Sequence, residues 1–75
     1  MNTKPLYALP QRQRDAMQAI IDHIIEKGES PTLEEIGERI GAHKANVREL
    51  VLALENREYI TRTAFSHRSI TIVEP

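Results

Sequence analysis

The sequence contains no cysteine, which removes disulfide bridges and thiolate metal ligands together. With no covalent staple, 75 residues must be held by well-matched helices around a thin core. The chain is long enough for one domain only. No apolar run approaches membrane length, and Met1-Asn2-Thr3-Lys4-Pro5 lacks the apolar stretch of a signal peptide. A soluble cytoplasmic protein without a membrane partner is therefore expected. Tryptophan is absent, and Tyr7 and Tyr59 read as packing residues rather than base-stacking ones. No nucleophile–base pair, phosphate-cradling glycine loop or convergent carboxylate pair is present, so no enzyme, catalytic residue, cofactor or small-molecule substrate is expected. His23, His43 and His67 do not have zinc-ligand spacing, and no metal site is expected.

A strong charge of either sign is also missing. The net charge is −1, but its distribution is uneven. Residues 1–32 are neutral, residues 33–42 carry −2 and residues 43–75 carry +1. Nucleic-acid affinity depends on where positive charge faces phosphate, so the C-terminal bias matters more than the total.

What is present is helical periodicity followed by alternation. Residues 1–8 show no pattern and read as a loose arm ahead of a domain over 9–75. Pro10 suits a first helical turn, and Met17, Ile20, Ile21 and Ile24 form an apolar stripe to Lys27, widened by Ala16 and Ile25. Gly28 stops that helix. Thr32 and Glu35 make a T-x-x-E capping box for a short helix, Leu33 to Ile40, ended by Gly41. A third helix runs from Lys44 or Ala45 to Arg57. Its core face holds Val47, Leu50, Val51 and Leu54, and its outer face Ala45, Arg48, Glu49, Leu52 and Asn56. Residues 59–63 and 69–73 alternate apolar and polar β-branched types and read as two strands joined by residues 64–68. Ile20, Ile36, Val47, Leu50 and Leu54 are expected to be buried together.

Two helices across a tight glycine turn, followed by a hairpin, give the order of a winged helix-turn-helix, an α+β fold that is mainly helical: three helices plus a C-terminal β-hairpin wing. Leu9 to Val73 resembles the N-terminal DNA-binding domain of LexA repressors, through Leu9, Arg12-Gln13, Asp22-His23-Ile24, Gly28, Pro31-Thr32, Glu35-Ile36, Arg39, Gly41, Leu54 and Ile60. The segments from Ile40 to Arg48 and Ile60 to Arg62 are also similar to MarR-type winged helices. The resemblance implies a transcriptional regulator, repressor-like, whose partner is double-stranded DNA. It departs at three places. The turn before the third helix is one residue shorter. Two adjacent acids on the base-reading face of LexA proteins fall on Arg48 and Glu49, and a glycine before the first wing strand falls on Glu58. The second LexA domain, which self-cleaves and dimerises, has no counterpart in this sequence, so autoproteolysis is not expected.

The recognition-helix candidates are His43, Lys44, Ala45, Asn46, Arg48 and Glu49, and the wing candidates are Arg62, His67 and Arg68. Arginine suits guanine O6/N7, and glutamate accepts from cytosine N4. Each has a plainer reading: surface charge for Arg48, Lys44, Arg62 and Arg68, and helix-end chemistry for Asn46. An alternative function is a winged helix that binds protein instead of DNA, favoured by near-neutral charge, the acidic second helix, outward Leu52 and loop Phe65. A second copy or another protein is a further expected partner, because one small module makes few DNA contacts.

Overall fold

Proline and glycine bound the first helix, and glycine ends the second. The computed structural model describes residues 5–63 and 68–73. Pro10 caps helix α1 (Gln11–Lys27), which ends at Gly28. Helix α2 (Leu33–Ile40) has the expected bounds, and helix α3 is Lys44–Asn56. The capping box forms in full: the Glu35 N–H donates to Thr32 Oγ1 at 3.1 Å, and the Thr32 N–H donates to Glu35 Oε1 at 2.8 Å. Strands β1 (Ile60–Arg62) and β2 (Ile70–Ile72) pair antiparallel with Ile60 opposite Ile72 and Arg62 opposite Ile70. Backbone bonds from Thr63 to Ser69 and from Val73 to Tyr59 carry the pairing one step further at each end. This is the three-helix, hairpin-wing architecture read from the sequence.

The core is aliphatic and gathers all three helices and the wing. Ala16, Ile20, Ile36, Val47, Val51 and Leu54 are fully buried, joined by Met17, Ile60 and Ile70. Some expectations about the core change. Leu50 is only half-buried, and Val51 takes the central place on α3, because Val47, Val51 and Leu54 define the stripe and Leu50 lies at its flank. Ile25 does not widen the α1 stripe but is 76% exposed. The α1 stripe is centred on Ile20, and five residues on a helix turn by about 140° from it, into solvent. The inner flank is held by His23, buried where Ile24 was expected and is half-buried.

Residues 5–8 carry structure of their own. Leu6–Ala8 forms a turn of 3-10 helix, Leu6 packs against the core and Leu9 is buried. The buried Tyr59 donates from its hydroxyl to the Pro5 carbonyl at 2.8 Å, as a packing residue should. Tyr7, expected to pack, is instead 81% exposed. No helix among the described residues is long and apolar enough to cross a membrane.

Candidate nucleic-acid interface

The turn between α2 and α3 determines how α3 is presented. Gly41 adopts φ 68, a left-handed conformation natural to glycine, and its N–H closes α2 on the Gly37 carbonyl. Gly37 itself has no room for a side chain: a Cβ there would lie 2.5 Å from the Ala42 carbonyl oxygen and 3.4 Å from Val47 Cγ2. The backbones of the helix and the turn therefore touch directly, and α3 sits close on α2. The packing role of Gly37 was not read from the sequence, where a glycine in an eight-residue helix only lowers helix propensity.

His43 then caps α3. Its Nδ1 accepts from the Ala45 N–H at 3.2 Å. A neutral ring that accepts at Nδ1 carries its proton on Nε2, so an exposed donor stands at the start of the helix. Lys44, Ala45, Asn46, Arg48 and Glu49 are all exposed on the same helix, and with His43 they form one open surface over its N-terminal half. The expected outward position of Leu52 is only partly realised, since its side chain is half-buried.

The cations of this face are not equivalent. Arg48 and Arg57 enter no ion pair among the described residues. Lys44 Nζ lies 3.3 Å from Glu34 Oε2, and Arg62 Nε lies 3.4 Å from Glu55 Oε1. Arg68 is committed furthest. It donates to Glu35 with both terminal nitrogens at 2.8 and 3.0 Å, to the Ser30 carbonyl at 3.0 Å, and lies 3.1 Å from Glu29. Its guanidinium thus points to the N-terminus of α2, and the Ile70 N–H, donating to Ser30 Oγ at 2.9 Å, pins β2 to the same loop. With Lys44, Arg62 and Arg68 each beside a carboxylate, the charge around Arg48 is mixed rather than continuously positive. His67 and Phe65 lie outside the described residues.

The Arg68 anchor reorganises the electrostatics of α2. The bidentate Arg68 bond, aided by the Thr32 N–H, brings the Glu35 carboxyl down from 4.5 to about 2. Buried His23 lies against the same carboxylate, its Nε2 3.5 Å from Glu35 Oε1 and its Nδ1 3.4 Å from Arg39 Nη2. Arg39 also holds Glu26 at 2.8 Å, which lowers the Glu26 carboxyl through that hydrogen bond. The sequence offered no signal for this network beyond the capping-box glutamate, because Arg68 and Glu35 are 33 residues apart.

With helix-turn-helix and wing in place, the relatives are informative. Residues 6–69 match the family model of the LexA DNA binding domain. The chain belongs to the LexA DNA-binding domain family. It is also similar to the LexA repressor of Sorangium cellulosum (strain So ce56), with 35% identity over 66 residues, 87% of this chain. The chain spans about 29% of that relative's length. Within the LexA fold, the surface from His43 to Glu49 is the exposed half of the second helix of the helix-turn-helix, the element that enters a major groove in such motifs.

Proposed function

We propose that this chain is the sequence-specific, double-stranded-DNA-binding domain of a transcriptional repressor, acting in the cytoplasm. The observation that carries the proposal is the capped, exposed N-terminal half of α3 in a member of the LexA DNA-binding family. In this reading Arg48 and Asn46 meet base edges, with Glu49 able to accept from cytosine N4. His43 and Lys44 meet the groove wall or phosphate, and Ala45 allows close approach. Arg62 and His67 meet the backbone. Arg68 reaches phosphate only by giving up Glu35, so its first role is to anchor the wing.

Arg48 where LexA proteins carry an acid favours guanine at one position, so the operator differs from theirs. A module of this size supports few contacts, and specific recognition calls for a second copy or a second domain. The reading involves no catalytic residue, metal, cofactor, small-molecule substrate or membrane. Protein binding through the same face loses one of its supports, since Leu52 is half-buried.

Selection of binding sites from random duplexes tests the proposal. It predicts an enriched motif, and Arg48→Ala should cost about 1–3 kcal/mol at the preferred site and flatten a single position of the motif. Absence of any enriched motif, together with absence of salt-dependent binding, would leave protein recognition as the remaining reading.

A further inference from the structure

We infer that Glu34 and Glu55 restrain DNA binding by occupying two of the cations that would otherwise meet phosphate. The inference rests on the reading of α3 and the wing as the DNA-binding face. Lys44 opens α3, and its partner Glu34 belongs to α2, ten residues earlier. The pair spans the turn of the helix-turn-helix, and both side chains are more than half exposed. Arg62 belongs to the wing, and its partner Glu55 to the last turns of α3. Each acid therefore ties a cation of the candidate interface to a neighbouring element of the same interface.

A cation beside a carboxylate attracts a phosphate weakly, because the carboxylate repels the same phosphate from only a few ångströms further away. To make a phosphate contact, Lys44 must leave Glu34, whose carboxylate then stands near a polyanion without that lysine. Exposed ion pairs are weak enough for this exchange to occur, so the acids attenuate binding without blocking it. The effect falls on the sequence-independent part of affinity, which is the part that depends on the number of phosphates neutralised. Glu34 and Glu55 are thus affinity-setting residues that keep a single domain from holding DNA of any sequence. The near-neutral net charge of the chain agrees with this restraint.

The test compares the parent with Glu34→Gln and Glu55→Gln, using fluorescence anisotropy on a random-sequence duplex between about 50 and 200 mM salt. Glu38→Gln is the control. It makes the same charge change on the exposed side of α2, at a residue in no ion pair among the described residues. At low salt Glu34→Gln should tighten binding roughly 3- to 10-fold and steepen the salt dependence by up to about one unit, with a smaller gain for Glu38→Gln. Glu55→Gln should behave like Glu34→Gln. In a Lys44→Ala background the gain from Glu34→Gln should fall to that of Glu38→Gln, since only plain charge repulsion then remains. Circular dichroism melts confirm that each variant is folded, and the Glu34 arm suffices if Glu55→Gln does not fold. Equal gains from Glu34→Gln and Glu38→Gln, or a Glu34→Gln gain that is undiminished in Lys44→Ala, would overturn the inference while leaving the DNA-binding reading intact. A folded parent with no salt-dependent binding to any duplex would overturn that reading, and this inference with it.

Discussion

Replacing Gly37 by alanine sets two effects of opposite sign against each other. Helix propensity favours alanine over glycine in a helix interior by about 0.8–1.0 kcal/mol, and Gly37 lies within α2. Against this stands the turn. The added Cβ would lie 2.5 Å from the Ala42 carbonyl oxygen, closer than such atoms tolerate, and the obstacle is backbone rather than the end of a flexible side chain. The same turn is fixed by the Ala42 N–H donating to the Gly37 carbonyl at 3.0 Å, so it cannot move aside without loosening that bond. Val47 Cγ2, 3.4 Å from the new carbon, belongs to a fully buried residue of α3. Overpacking of this kind costs about 1–3 kcal/mol. The steric effect should win, leaving Gly37→Ala less stable than the parent by up to about 2 kcal/mol once the propensity gain is subtracted. In a domain of this size that lowers Tm by up to roughly 15 °C. Urea and thermal unfolding followed by circular dichroism measure it, with exposed Glu38→Ala as a neutral comparison. DNA affinity should fall as well, because the displaced turn carries α3 with it. A variant as stable as the parent or more so would show that helix and turn are not in direct backbone contact, and that propensity alone governs the position.

Glu58 has φ 64, a conformation that costs an L residue about 1–2 kcal/mol, so Glu58→Gly should be more stable than Glu58→Ala, which loses the same side chain, by about 0.5–1 kcal/mol after the entropic cost of glycine, and equal melts for the two would contradict the backbone geometry. Leu54→Ala should cost about 2–5 kcal/mol, and Leu50→Ala distinctly less because Leu50 is only half-buried; equal losses in chemical denaturation would restore Leu50 to the centre of the core. Glu35, held by Arg68, has a folded-state pKa of about 2 against an ordinary 4.5. Its contribution to stability is therefore complete above about pH 4.5 and lost as pH falls toward 2, so Glu35→Gln should flatten acid unfolding over that window. The flattening should shrink at high salt, since the pair is partly exposed. An unchanged acid limb in the variant would remove Glu35 from the account.

Local signals in the sequence were the ones that translated directly. Thr32 with Glu35, and Gly41 at the end of α2, act within a few residues of themselves, and the bounds of α2 follow from them. The alternating residues of the hairpin pair as expected because side chains alternate across a strand. Periodicity located the apolar faces to within a residue and no better. It could not tell Val51 from Leu50 as the centre of α3, nor foresee that α1 turns His23 inward and Ile25 outward, because those choices depend on how far each helix rotates against its neighbours. The open surface from His43 to Glu49 was legible from the outer face of α3. The pairing of its cations was not. Lys44 with Glu34, Arg62 with Glu55 and Arg68 with Glu35 are tertiary contacts, and a count of charges along the chain treats all of these arginines and lysines as equally available.

The central claim, that the N-terminal half of α3 is the surface that meets DNA, is tested most directly by titrating a selected duplex into isotope-labelled protein and following backbone amide resonances. The account predicts that the largest shifts fall on residues 43–49, with a second set on β1 around Arg62 and small changes along α1. Shifts centred on α1, or an unperturbed α3 in a protein that nonetheless binds the duplex, would contradict it.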